Sequence, residues 1–294
     1  ARQNHPAQGA ELLTLAKSLP AEGVFPHQRE SLQPLRWALE QDPQDGHASL
    51  YLGHLLFALG RHAEGRAKWS QSAQHDAHPT VALRALGLAA LKLDQNTTNA
   101  VTLLRSAQDR DRTDAIVARD LARIYSDLAV KAEARDRKLE LFTEARDALQ
   151  SAFANGRGRS DFVALLARAQ NELGQYAETA RMLDNVRVTV WEGAREVHDL
   201  FEEAHLALGE AHLKAGRATE ALTEVNRALE YPENLATGKL ENAREAHIHY
   251  LRGNALAALG RPSEAVPAWT LAANEPESKN ARQQQAREQA REAL

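Results

Sequence analysis

Cysteine is absent from the 294 residues, which removes disulfides, thiolate zinc sites and cysteine nucleophiles. Aromatic residues make up only 5%, and β-branched residues are scarce beside Ala and Leu. Strands draw on those two classes, so an all-β fold is not expected, while Ala and Leu favour helix. A basic excess is also missing. The 36 Lys and Arg face 40 Asp and Glu, for a net charge of −4. No nucleic-acid partner is expected, because its electrostatic footprint needs a surplus of positive charge. No apolar run approaches the roughly 18 residues of a membrane span. Methionine occurs once, at Met182, and the chain starts at Ala1. The expectation is a processed or excised chain, with the cytoplasm slightly favoured.

What the sequence has instead is repetition. Leu50 to Gly60 reads Leu-Tyr-Leu-Gly-His-Leu-Leu-Phe-Ala-Leu-Gly, followed by Arg61 and Trp69. Tyr250 to Gly260 reads Tyr-Leu-Arg-Gly-Asn-Ala-Leu-Ala-Ala-Leu-Gly, followed by Arg261, Glu264, Ala265 and Trp269. A third copy runs from Leu208-Gly209 through Gly216-Arg217 to Glu220-Ala221-Leu222. Each copy has a small residue inside a helix, a Gly seven positions later and a second helix. Gly costs a helix interior about 1 kcal/mol against Ala, so its recurrence at Gly53, Gly87, Gly209 and Gly253 asks for close approach of a neighbouring helix. Gly60, Gly174, Gly216 and Gly260 fit left-handed C-terminal caps.

With the small residue as ruler, Gly53, Gly87, Ala122, Ala167, Gly209 and Gly253 give steps of 34, 35, 45, 42 and 44 residues. Leu35, Trp69, Leu103, Val225 and Trp269 fall at the large second-helix position, and Pro43 and Pro79 sit where helices must stop. A 34-residue helix–turn–helix period is that of tetratricopeptide repeats, and the sequence resembles that family over nearly its whole length. The expected fold is an all-α, right-handed superhelical solenoid of about seven helix pairs. It is read as a single array over 1–294: an early repeat at 10–43, then repeats at 46–79, 80–113, 114–156, 160–185, 196–232 and 241–276. In the early repeat, Glu11 to Leu19 and Ser31 to Gln41 supply the two helices. The segment 278–294 is read as a capping helix, with Ala281, Ala286, Ala290 and Leu294 on one face.

Three repeats are stretched. Residues Ala129 to Lys138, dense in charge, should lengthen both helices of one repeat. Val186, Val188 and Val190 alternate, which predicts an extended segment packed on one side. Tyr231 to Lys239 contains Pro232 and Gly238 and reads as an irregular loop. The run Trp191-Glu-Gly-Ala-Arg-Glu-Val-His-Asp-Leu200 and the loop Tyr231-Pro-Glu-Asn-Leu235 with Gly238-Lys239 resemble a bacterial group. They are similar to the C-terminal tetratricopeptide half of large proteins that also carry a β-rich, galactose-mutarotase-like domain. The resemblance covers roughly Asp161 to Ala273. It implies a fragment of a larger protein, with any sugar-directed chemistry in the other domain, and it carries over no catalytic residue.

Motifs for chemistry are missing. Gly156-Arg-Gly-Arg159 lacks a preceding strand and reads as a plain connector, and no Gly-x-Ser-x-Gly elbow occurs. His198, Glu202 and His205 share a helix face, with His212 beyond. From the first to the third, the stripe spans about 10 Å along the axis, too far for one ion. Packed or surface histidines are therefore expected. No catalytic residue, metal, cofactor or enzymatic activity is expected.

The resemblance implies that first helices line a concave groove through the second, fifth, ninth, twelfth and thirteenth repeat positions. Those positions give Arg84 and Lys92, Arg119 and Arg123, then Arg168 and Asn171. His47, Leu50, His54 and Phe57 flank them on one side. Glu203, Leu206, Glu210, Lys214, His247, Tyr250 and Asn254 flank them on the other. Guanidinium groups hold carboxylate or phosphate bidentately, so these residues would either bind an anionic ligand or pair with Asp120, Asp127, Glu172 and Asp161. The carboxylate clamp of chaperone-binding relatives needs Lys and Asn where Leu50 and His54, or Arg84 and Leu88, stand here. That partner is disfavoured. Trp37, Trp69 and Trp269 read as core. Trp191 lies in an insert and either anchors that insert on the superhelix or docks a partner domain, and Tyr231 is a further docking candidate. The expected function is a non-catalytic scaffold for a protein, a peptide or an attached β-rich domain. The alternative is a stand-alone receptor for an acidic peptide or anionic ligand.

Overall fold

The computed structural model describes residues 29–76, 79–189 and 194–294. The expected helix at Glu11 to Leu19, and Val190 and Trp191, lie outside the described residues. Within the described residues all regular structure is helical, and the chain divides into two compact units between Ile124 and Tyr125.

The first unit contains α1 (Leu32–Gln41), α2 (Gly46–Ala58), α3 (His62–His75), α4 (Thr80–Lys92), α5 (Thr97–Arg110) and the first part of α6 (Ala115–Lys131). The second holds the rest of α6, α7 (Arg135–Ser151), the single turn α8 (Phe153–Gly156), α9 (Ser160–Glu172) and α10 (Tyr176–Asn185). It continues with α11 (Ala194–Lys214), α12 (Ala218–Ala228), α13 (Ala246–Ala258), α14 (Pro262–Asn274) and α15 (Ala281–Ala293). Helices joined by short turns pack as pairs: α2 with α3, α4 with α5, α11 with α12 and α13 with α14.

Local chemistry explains where these helices start and stop. Asp45 Oδ1 accepts from the Ala48 amide at 2.9 Å, and Asn96 Oδ1 accepts from that of Asn99 at 3.0 Å. Each satisfies a donor that the first turn leaves free. At the other end, Gly60 and Gly260 adopt φ +79° and +68°, left-handed conformations that side chains resist.

Pairing rests on a close contact. Trp69 is 3% exposed, and a Cβ on Gly53 would stand 2.6 Å from its Cδ1 atom. Gly253 lies under Trp269 in the same way. In the α4–α5 pair the sequence position slips by one: Leu104, not Leu103, is fully buried and comes nearest Gly87. The first-helix backbone thus seats one large side chain of its partner helix.

The stretched repeats take three forms. α6 and α7 are both lengthened to 17 residues. Val186 and Val188 are buried and extended while Arg187 and Thr189 are exposed. A 3-10 turn, Glu233–Leu235, interrupts the loop after α12. Its Asn234 carboxamide donates to the carbonyls of Leu183 and Val186, and its carbonyl accepts from the Val188 amide. The two inserts therefore brace each other.

α15 packs on α13 and α14 through Gln283, Ala286, Arg287 and Ala290. Ala281 and Leu294 were expected on that face. Both are exposed, Leu294 to 58%, because the buried stripe follows the 283–286–287–290 spacing instead.

Candidate functional site

In the first unit the arginines of α4 and α6 converge on one carboxylate. Asp120, 8% exposed, accepts from Arg84 Nε at 2.6 Å and from Arg119 Nη2 at 2.8 Å. Lys92 and Arg123 are exposed at their respective positions. Beside them His54 meets the Trp69 indole edge-on at 5.1 Å between centroids, and Phe57 lies 4.7 Å from the same ring. Burial, aided by the positive charge of Arg84, pushes the His54 imidazole down to about 4, so it is neutral near neutrality.

In the second unit Arg168 donates to Glu196 at 2.5 Å. The buried Asn171 carboxamide donates to the Leu200 carbonyl at 3.0 Å and to Glu203 at 3.1 Å. Of the acids expected as arginine partners, Asp120 takes that role. Glu172 instead holds Lys138 at 2.8 Å, and Asp161 accepts from the Phe162 amide at 3.0 Å and pairs with Arg159, outside the groove set, at 3.9 Å. Internal pairing thus describes Arg84, Arg119 and Arg168.

The histidine stripe is separately engaged at each member. His198 Nε2 donates to the Glu230 carbonyl at 3.0 Å, and its ring stacks on Tyr231 at 4.1 Å. His205 Nδ1 donates to Glu224 at 2.6 Å, a bond that lowers the Glu224 carboxyl's pKa. Glu202 accepts from His247 at 3.0 Å. Among the described residues no group of three His, Cys, Asp or Glu side chains is placed to hold a metal.

Tyr231 belongs to a charged cluster in the second unit. Lys239 Nζ stands 6.0 Å from its ring centroid and donates to Glu245 at 2.6 Å. Burial raises the Glu245 pKa, but its interactions with His249 and Lys239 outweigh that and hold it at about 2. The other proposed docking residue, Trp191, lies outside the described residues.

One feature escaped the sequence. A recess of roughly 310 Å³ opens between α11, α13 and α15. Leu213, Tyr250 and Leu251 supply apolar walls, Ala286 closes it from α15, and exposed Lys214 stands at its mouth. Arg282 of α15 reaches Glu210 of α11 at 2.9 Å along one side. Lys214 and Tyr250 occupy groove positions of successive repeats, which is a readable signal. The contribution of α15 is not, because it lies outside the repeat pattern.

Comparison with known proteins agrees with these helix pairs. A family model described as Tetratricopeptide repeat matches residues 29–82, 188–234 and 206–281, together half of the chain. No curated protein sequence matches. Among solved structures, the chain is similar to a thermophilic TPR protein of Thermus thermophilus, with 22% identity over 73% of this chain and 98% of that one, at TM-score 0.37. A tetratricopeptide repeat protein of Parabacteroides merdae is 11% identical over 98% and 99% of the two chains, at TM-score 0.42. The human IFIT1 dimer with m7Gppp-AAAA is 15% identical over 90% of this chain and 61% of that one, at TM-score 0.41. With its glycine-seated helix pairs and its family match over half the sequence, the chain belongs to the tetratricopeptide repeat family.

Proposed function

We propose that this chain is a non-catalytic scaffold for a protein partner, and that the α11–α13–α15 recess receives a segment of that partner. The recess carries this reading. It joins apolar walls from Leu213, Tyr250 and Leu251 to the exposed cation of Lys214, a combination suited to an apolar side chain beside a carbonyl or carboxylate. The resemblance over Asp161 to Ala273 makes an attached β-rich domain one source of such a segment, in a larger protein of which this chain is a part.

The arginine positions support a second reading less well. An anion at Arg84, Arg119 or Arg168 would have to displace Asp120 or Glu196, each within 2.8 Å of its guanidinium. The half-buried Asp120 pair resists that more than an exposed pair would. Lys92 and Arg123, exposed nearby, are where an acidic peptide would make its first contacts.

Selection from a random displayed peptide library tests both readings. Peptides that enrich on the wild type and are lost on Tyr250→Ala or Lys214→Glu place binding in the recess. Enrichment that depends on Arg123 and Lys92 favours the arginine face. A failure to enrich any peptide dependent on either set argues against a peptide-binding scaffold.

A further inference from the structure

The second unit has another recess, of roughly 340 Å³, on the opposite side of α9 from the Arg168–Glu196 pair. Leu166 and Gln170 face it from α9 and share one side of the helix at i and i+4, whereas residue 168 points about 200° away from 166. Its apolar surface comes from Phe153, Leu166, Met182 and Val186. Two exposed arginines, Arg157 and Arg181, stand at its rim with one exposed acid, Glu178.

Three observations mark this as a built site. First, the turn that delivers Phe153 and Arg157 is fixed by a close approach: a Cβ on Gly156 would come within 2.6 Å of the fully buried Phe162 ring. The sequence reads this stretch as a plain connector, but the structure makes it one wall. Second, Gln170 is 5% exposed and lines the recess. Its Oε1 accepts from the Thr179 hydroxyl at 3.3 Å, so the carboxamide N–H groups are what this lining residue has to offer a ligand. Third, neither rim guanidinium forms an ion pair with a described carboxylate, unlike Arg168 and Arg227 in the same unit.

We propose that this recess is a second docking site, for a partner peptide that inserts one aromatic or aliphatic side chain flanked by acidic residues. The apolar floor takes the side chain, with the flexible thioether of Met182 adapting to its shape. The flanking carboxylates meet Arg157 and Arg181, and Gln170 donates to the peptide backbone. Charge complementarity selects the occupant, because the rim carries two cations against one anion. The exposed rim suits a segment presented by a protein more than a small molecule, which binds mostly enclosed. This site does not depend on the α11–α13–α15 recess.

Met182 is the chain's only methionine, so protein labelled with methyl-¹³C methionine gives one reporter signal inside the recess. The probe is a capped peptide with one phenylalanine between glutamates, titrated at neutral pH. Its controls carry serine for phenylalanine, or glutamines for glutamates. The expected result is a saturable shift of the Met182 signal, abolished by the serine control. Arg157→Glu and Arg181→Glu should each raise Kd about fivefold, as for an exposed pair worth up to about 1 kcal/mol. The double variant should instead respond to a lysine-flanked peptide. Both positions are exposed, so folding is expected to survive, and circular dichroism checks it. An unmoved signal at roughly 1 mM peptide overturns the proposal. So does an equal response to the glutamine control. A response to octanoate but not to the peptide would make the recess a small-molecule site and also overturn it.

Discussion

Gly53 lies so close under the Trp69 indole that a single added carbon would stand 2.6 Å from Cδ1 and 3.0 Å from the Gly65 carbonyl oxygen. The α2–α3 pair therefore depends on a missing side chain as much as on a large one. Gly53→Ala gains about 1 kcal/mol of helix propensity, but overpacking a rigid neighbour typically costs about 1–3 kcal/mol. A Trp ring held at 3% exposure, with backbone behind it, has little room to yield. The expected result is a net loss of about 1 kcal/mol and a lower Tm. Adding Trp69→Leu should make the alanine tolerable, so the double variant loses less than the two single losses combined. Additive losses in thermal melts would separate the two residues and refute the account.

Asp120 gathers Arg84 and Arg119 onto one carboxylate. Asp120→Asn removes that charge while keeping the shape, leaving two guanidiniums near each other with less to neutralise them. The carboxylate is buried but Arg84 is about a third exposed, so solvent screens part of the penalty. A loss of about 2 kcal/mol is expected in denaturant unfolding. Sulfate should restore more stability to the variant than to the wild type, because it supplies the negative charge that Asp120 gave the two guanidiniums. Equal sulfate effects would show that the arginines are held apart by other contacts.

These two relationships divide what was legible in the sequence from what was not. The Gly53–Trp69 and Gly253–Trp269 contacts were readable because backbone spacing within one helix pair is fixed by helix geometry. At Gly87 the partner falls one residue beyond that spacing, Leu104 in place of Leu103, since the α4–α5 turn sets a different register. Ion pairs were legible only in part. Asp120 was foreseen, but Arg168 chose Glu196, 28 residues away, over Glu172. Long side chains reach across helices, and their choice depends on stacking that spacing alone does not encode. The recess beside Met182 was invisible for a related reason. Its walls from α9 and α10 are completed by a one-turn helix and an extended insert, neither of which follows the repeat.

His54 and Asn254 each directly follow the small residue of a ruler pair, with different consequences. Asn254 Oδ1 accepts from Trp269 Nε1 at 3.0 Å, whereas the buried Trp69 Nε1 has no acceptor. His54, pushed to about 4 from an ordinary 6.5, binds fewer protons folded than unfolded between those values. Stability then rises with pH across that window and is lost as pH falls through it, by at most about 3 kcal/mol. His54→Asn should remove this dependence and supply Trp69 with the acceptor its counterpart has, a gain of about 1 kcal/mol at mildly acid pH. Urea midpoints between about pH 4 and 7 provide the measurement. A slope unchanged by the substitution would locate the titrating group elsewhere.

Glu245 acts lower on the scale. Its carboxyl, held at about 2 against an ordinary 4.5, contributes stability that is fully present above about 4.5 and lost as pH falls toward 2. Glu245→Gln should flatten the acid limb of the second unit's unfolding curve while lowering stability near neutrality. An acid limb identical to that of the wild type would assign the protection to another carboxylate.

Asn234 ties two inserts together, since one carboxamide donates at 2.8 Å to both the Leu183 and Val186 carbonyls while its own carbonyl accepts from the Val188 amide at 2.7 Å. Asn234→Ala leaves the backbone bond possible but strips both side-chain bonds. Two carbonyls then lose a donor, one at the end of α10 and one at the start of the extended segment, at a cost of about 1–3 kcal/mol. The loss should be local, because the helix pairs on either side keep their own glycine-seated or alanine-lined contacts. Hydrogen exchange is the discriminating measurement. The Val188 and Thr189 amides, the latter bonded to Ser160 Oγ at 2.9 Å, should exchange at least tenfold faster, while amides inside α13 and α14 stay protected. Uniform acceleration across the second unit would mean that Asn234 supports the whole unit and not only the junction of its inserts.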